Sequence, residues 1–136
     1  MQVRVVDWTV GALLPSEPIL VWPDTPVPEV AAVLDRAGIS SVPVVDWLGY
    51  LVGVVSEMDL LRVRASDTLA VDWERLRARH VMSQAWFSVA SDMPLEHAVR
   101  LIESLQIHRL VVVADDGESP LGVLSATDLA RFMVGR

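Results

Sequence analysis

Serine and aspartate stand three residues apart, behind a glycine, at two places in the chain: Gly53-Val54-Val55-Ser56-Glu57-Met58-Asp59 and Gly122-Val123-Leu124-Ser125-Ala126-Thr127-Asp128. In each, two apolar residues lead from the glycine to the serine, as where a strand passes into a helix. At a helix start, unpaired backbone N–H groups and a serine hydroxyl can hold an anionic or polar group. An aspartate one turn later can accept two hydrogen bonds from the cis-diol of a ribose, as the acidic residue of dinucleotide folds does. Glycine in the preceding strand lets a flat ring or another backbone approach closely. The same spacing also makes Ser56 with Asp59, and Ser125 with Asp128, the N-cap and N3 residues of a capping box, with Asp in place of Glu or Gln. One copy would favour capping. Two copies in register favour a ligand, although duplication alone would preserve two caps.

Both copies belong to an internal repeat. A shift of 68 residues carries Val21, Asp24, Pro26, Ile39, Val44 and Val45 onto Val89, Asp92, Pro94, Ile107, Val112 and Val113. A shift of 69 carries Gly53, Val54, Ser56, Asp59 and Leu60 onto Gly122, Val123, Ser125, Asp128 and Leu129. Each repeat reads as strand, helix, strand, strand, helix. Apolar residues recur at helical spacing at Val27, Val30, Ala31, Leu34 and Ala37, and again at Leu95, Ala98, Val99, Ile102 and Leu105. Pro26 and Pro94 suit a first helical turn, where a missing N–H costs nothing. Gly38 suits a helix C-cap, and Gln106 is a poorer stop. Apolar, largely β-branched runs follow as hairpins, Val42–Val45 with Leu51–Val55 and Leu110–Val113 with Leu121–Leu124, the second turning at Asp115, Asp116 and Gly117. Second helices are expected over Glu57–Arg64 and Ala126–Val134.

This division gives a first repeat over 1–64, a linker over 65–79, helical from Asp72 to Arg79, and a second repeat over 80–136. One unit cannot cover both faces of its own sheet. The fold class expected is therefore α/β (α+β), two β-α-β-β-α repeats packed sheet to sheet about a pseudo-twofold axis. Two equivalent clefts follow, and concave surfaces of this kind are natural ligand sites.

The repeat resembles the cystathionine-β-synthase (CBS) domain, and the whole chain a tandem CBS pair, or Bateman module. The resemblance runs from about Leu13 to Val134 and rests on Gly38-Ile39-Ser40-Ser41-Val42-Pro43-Val44-Val45-Asp46 and Leu51 to Leu61 in repeat one. In repeat two it rests on His80-Val81-Met82, Met93 to Ala98, Gln106-Ile107-His108-Arg109-Leu110-Val111-Val112-Val113 and Gly122 to Leu129. Leu13-Leu14 departs from the Val-Met pair of the family, and Trp22-Pro23 is unusual before Asp24. The resemblance implies a regulatory module that senses an adenosine ligand (AMP, ADP, ATP or S-adenosylmethionine) as effector, with no cofactor required. It implies that Asp59 and Asp128 hold ribose hydroxyls, that Ser56 and Ser125 contact ribose or phosphate, and that Ile39 and Ile107 border the adenine. His108 and Arg109 would face phosphates; repeat one has Ser40 and Ser41 there. A phosphate needs charge-assisted hydrogen bonds that only one half then supplies, so unequal sites are expected, with a preference for AMP or S-adenosylmethionine over ATP.

Composition narrows the classes further. The 136 residues include no cysteine, which excludes thiolate metal sites, redox pairs and a cysteine nucleophile. All 11 basic residues are Arg against 18 acidic ones, a net charge of -7, which argues against nucleic acid as partner. The cluster Arg75, Arg77, Arg79 reads as a solvated linker face paired with Asp72 and Glu74. A mean hydropathy of +0.41 is high, yet uncharged apolar runs such as Leu48 to Ser56 are far short of the ~20 residues a span needs. A cytoplasmic protein without membrane attachment, whose apolar excess is covered in a homodimer, is the expectation. His80, His97 and His108 form no metal-ligand pattern, and neither a nucleophile elbow nor a P-loop occurs, so no enzyme is expected. Asp115-Asp116 reads as a solvated turn. Trp22 and Trp86 are assigned to the core, and Trp47 equally to an interface or a core edge. The function read is a ligand-sensing module acting on a protein partner in trans. The alternative is a ligand-free interaction or scaffold dimer whose Ser/Asp pairs are only helix caps.

Overall fold

The computed structural model describes residues 8–65 and 70–134, which form two compact units. The first unit is Ile19–Trp86; the second comprises the described residues up to Pro18 and those from Phe87 onward. Each mixes helix with a small sheet, the class expected from the repeat.

In the first unit, α1 (Val27–Ala37) leads through the antiparallel strands β1 (Ser41–Val45) and β2 (Leu51–Ser56) into α2 (Glu57–Ala65). A 3-10 turn over Ala70–Arg75 and the short helix α3 (Ala78–Val81) follow. Its core is built on Val21, Val27, Val30, Val42, Val44 and Val55. In the second unit a 3-10 turn over Val10–Leu13 precedes β3 (Ser88–Ala90), α4 (Leu95–Leu105), β4 (Arg109–Val113), β5 (Pro120–Ser125) and α5 (Ala126–Val134). Strand order is β3-β4-β5, parallel then antiparallel. Val10, Leu95, Leu110, Val112 and Leu124 form that core. Each fully buried Val or Leu stabilises its unit by about 1.5–3 kcal/mol.

The repeat is also written in backbone hydrogen bonds. Neither α1 nor α4 has a side-chain cap. Instead the Val27 N–H donates to the Leu76 carbonyl (2.9 Å), and the Leu95 N–H to the Trp8 carbonyl (2.8 Å). Ala78 and Arg79 donate back to Thr25 (2.8 Å) and Pro23 (2.9 Å), as Val10 and Gly11 do to Met93 (3.0 Å) and Ser91 (2.9 Å). A crossing segment thus caps the first helix of each unit by main chain alone, satisfying donors that would otherwise be orphaned.

Several expectations need correction. The leading strand of repeat one is reduced to a single parallel bridge, Val21 with Val44. Proline explains it. In the second unit the Val111 N–H donates to the Phe87 carbonyl (2.9 Å), but the residue equivalent to Val111 is Pro43, which has no N–H for Ile19. Pro26 and Pro94 stand at the N-cap, just ahead of the first turn. The linker helix expected over Asp72–Arg79 is split between the 3-10 turn and α3. Arg79 pairs with Asp24, not with Glu74, and the Arg77 guanidinium donates to the Asp24 carbonyl (3.5 Å); the Asp72 side chain lies outside what is described. Trp22 is 54% exposed rather than in the core, because strand alternation buries its neighbour Val21 and turns Trp22 outward. Trp47, 83% exposed at the hairpin tip, caps no core edge.

Candidate functional site

The serine of each motif closes a strand and the next residue opens a helix, so the motif lies at a β-to-α junction in both units. In the first, the Ser56 N–H and hydroxyl both donate to Asp59 Oδ2 (2.8 and 2.9 Å), and the Asp59 N–H donates to Ser56 Oγ (3.2 Å). In the second, the Ser125 N–H donates to Asp128 Oδ2 (2.9 Å) and the Asp128 N–H to Ser125 Oγ (3.0 Å). Both are reciprocal capping boxes, the arrangement that satisfies two orphan donors at once.

The strand before each helix brings the remaining candidates to the same place. Arg109 lies in register with Ser125 across β4 and β5, and the Ala126 N–H donates to the His108 carbonyl (2.8 Å). In the first unit Ser41 pairs with Ser56, and the Glu57 N–H donates to the Ser40 carbonyl (2.9 Å). The two junctions therefore share one backbone geometry and differ in chemistry. His108 is exposed and Arg109 half-buried beside Ser125, whereas Ser41 is buried beside Ser56. Only the second junction carries a guanidinium on the strand beside its Ser/Asp pair.

Ile39 and Ile107 follow the left-handed residues that end α1 and α4. The Ile39 N–H donates to the Leu34 carbonyl (3.1 Å) and the Ile107 N–H to the Ile102 carbonyl (3.2 Å), while Gly38 and Gln106 donate to Asp35 (3.2 Å) and Glu103 (3.4 Å). These are Schellman caps, and each isoleucine packs against the core of its own unit. Both isoleucines are half-buried, one residue ahead of the serine or histidine whose carbonyl receives the helix N–H.

The motif glycines have a close neighbour of their own. A Cβ on Gly53 would overlap the Met82 side chain, and one on Gly122 would lie 2.8 Å from Leu14 Cδ2. The room these glycines leave is taken by a side chain of the crossing segment, not by a ring or a backbone. Sequence reasoning also missed Arg62, whose guanidinium reaches Asp59 Oδ1 (3.3 Å) from three residues along α2. The i, i+3 spacing was the available signal.

Three concavities lie within single units. One of about 490 Å³ is lined by Leu34, Leu60, Leu61 and Trp73, one of about 530 Å³ by Leu14, Pro15, Ser91 and Leu121, and one of about 340 Å³ by Met93, His97 and Leu101. None of these three is lined by the eight candidate residues. Among the described residues no cluster of His, Asp or Glu could hold a metal, and no helix is long and apolar enough to cross a membrane.

The CBS domain matches residues 10–66 and again 78–135, which together are most of the chain. The chain belongs to the CBS-domain family. Its two CBS domains in tandem make it a Bateman module. The CBS pair is similar to the CBS domain of a membrane protein from Sphaerobacter thermophilus, 27% identical with a TM-score of 0.77 over 93% of this chain and 88% of that one. It is similar to CBSX2 from Arabidopsis thaliana, solved in complex with AMP, at 27% identity and a TM-score of 0.72 over 95% and 99% of the two chains. Human 5'-AMP-activated protein kinase subunit gamma-3 is 32% identical over 101 residues, which are 71% of this chain. The chain spans only 20% of the length of that human relative.

Proposed function

We propose that this CBS pair is a regulatory module that senses an adenosine ligand through its Ser–Asp junctions, and that it works as a cytoplasmic homodimer on a protein partner in trans. The observation that carries the reading is the register of Arg109 with Ser125, three residues before Asp128. One junction thereby offers a cation for phosphate, a hydroxyl, and a carboxylate for a ribose diol. The AMP complex of a 27% identical neighbour of the same fold supports that ligand class. Ser56, Asp59, Ser125 and Asp128 take the sugar, His108 and Arg109 the phosphate, and Ile39 and Ile107 border the base. With a strand guanidinium at only one of the two junctions, in a chain of net charge -7, a ligand of low negative charge such as AMP is preferred over ATP.

Thermal unfolding with AMP tests this. A ligand that binds only the folded state, at about a hundredfold excess over Kd, adds about 2.7 kcal/mol. Wild type should gain a clear rise in Tm, and Asp128→Ala should lose it. ATP binding far more tightly than AMP without added metal would remove the charge preference. The formed capping boxes favour one second reading, a ligand-free scaffold in which these residues only cap helices. No shift at millimolar AMP, ADP, ATP or S-adenosylmethionine would favour it.

A further inference from the structure

The two Ser–Asp junctions are built alike but are not in the same state. In the first unit Asp59 is fully engaged: Oδ2 receives the Ser56 N–H and the Ser56 hydroxyl, and Oδ1 receives the Arg62 guanidinium. Its side chain is 12% exposed. In the second unit Asp128 is exposed, and its Oδ2 receives the Ser125 N–H. Among the described residues Oδ1 of Asp128 has no partner, and the Ser125 hydroxyl, which accepts the Asp128 N–H, donates to no side chain. Arg131, the equivalent of Arg62 under the 69-residue shift, makes no ion pair with Asp128 among these residues.

A sugar diol brings two O–H donors and needs free carboxylate lone pairs to receive them. Asp128 has them ready, with a serine hydroxyl beside it as donor. At Asp59 the diol must first displace the Ser56 hydroxyl and Arg62. We infer that the second unit's junction is loaded first, and that Arg62 is a built-in competitor that holds the first junction closed. The inference rests on the adenosine reading above, but it does not depend on phosphate: a bare nucleoside should show the same order. Breaking one internal hydrogen bond to a carboxylate and one exposed ion pair should weaken the first junction about tenfold relative to the second. The exposed pair alone is worth only a factor of about two.

Adenosine, which carries no phosphate, is the probe, titrated into the full chain labelled with nitrogen-15 and followed by NMR and calorimetry. The first equivalent should shift the amides of Ser125 to Asp128, and Ser56 to Asp59 should respond only at about tenfold higher adenosine. Asp128→Asn should weaken the first event tenfold or more, Asp59→Asn should leave it unchanged, and Arg62→Ala should tighten the second event about twofold. Simultaneous loading, or loading at Ser56–Asp59 first, would overturn the order. Absence of binding of both adenosine and AMP in wild type would instead overturn the adenosine reading. The closed and open states are then still decided without ligand: Asp59→Ala should lower Tm more than Asp128→Ala, and equal losses would remove the distinction.

Discussion

Where the first unit places Pro43, Gly38, Ser41 and an Arg62 paired with its aspartate, the second has Val111, Gln106, Arg109 and an Arg131 that among the described residues makes no ion pair with Asp128. The backbone absorbs these exchanges with one loss, the leading strand that Pro43 reduces to a bridge. The crossing segments, hairpins and β-to-α junctions recur at the same offsets, so the duplicated frame sets where groups stand. What the repeats do with the frame has diverged in opposite directions. The first unit has the better helix stop, a glycine at φ 66°, and a junction closed on itself. The second accepts a non-glycine residue, Gln106, at φ 55°, and among the described residues leaves Asp128 Oδ1 without a partner. Helix stop and junction chemistry are thus set separately in the two copies, and the copy with the less ideal helix stop is the one with a guanidinium on the strand beside its Ser/Asp pair.

Exchanging residues between the units sharpens or breaks this comparison. The largest effect is expected from Val111→Pro, which gives the second unit the proline of the first and removes the N–H that bonds Phe87. It should cost about 1–3 kcal/mol, and β3 should shrink toward a single bridge. Denaturant unfolding gives the loss, and the carbonyl and Cα chemical shifts of Phe87 and Ser88 the fraying; unchanged extended-strand shifts there would show that Pro43 is not why the first unit lacks its strand. A smaller effect should follow from exchanging the helix stops. Gln106→Gly relieves a left-handed non-glycine residue and should stabilise by about 1 kcal/mol, whereas Gly38→Gln should cost a similar amount. Opposite signs of the two changes in Tm are the expected outcome, and a Gln106→Gly protein no more stable than wild type would mean that the Gln106 Nε2 bond to the Glu103 carbonyl (3.1 Å) offsets the strain.

The smallest effect concerns the hairpin turns, each braced by an aspartate. Asp46 Oδ1 receives the N–H groups of Leu48 (2.9 Å) and Tyr50 (3.0 Å), and Asp116 Oδ1 those of Glu118 (2.9 Å) and Ser119 (2.8 Å). Asp116 differs in one further bond, from the Ser119 hydroxyl, and this, ahead of the two N–H groups, holds its carboxyl below the ordinary value of 3.8. A depressed folded value means that the brace is fully present above pH 3.8 and fades as pH falls through that lower value. Carboxyl titration by NMR should therefore place Asp116 below 3.8, with the midpoint returning toward it in Ser119→Ala. An unchanged midpoint would assign the shift to the backbone donors alone.

Most of the frame is legible in residue order alone. Helical spacing at Val27, Val30 and Leu34 located α1, and the shifted set at Leu95 and Ala98 located α4, because a buried face at a 3.6-residue period is a local property. Hairpins and β-to-α junctions followed from turn glycines and β-branched runs for the same reason. The misread features depend on distant partners. Arg79 found Asp24 instead of a neighbour on its own turn, and Trp22 turned outward because Val21 was drawn to Val44. Gly53 by its type admits a ring or a backbone, yet it is Met82, far along the chain, that fills the room beside it.

The candidate site divides along the same line. That Ser56 and Ser125 precede Asp59 and Asp128 by one helical turn, and that only repeat two offers His108 and Arg109, is contained in residue order, since spacing along a helix and residue type need no partner. Whether a carboxylate is engaged or free is not contained there. Arg62 and Arg131 occupy matching positions in matching helices, yet only one of them pairs with its aspartate. An exposed ion pair of this kind is worth a few tenths of a kcal/mol. Its formation is decided by how each side chain is placed by its surroundings, which only the folded chain supplies.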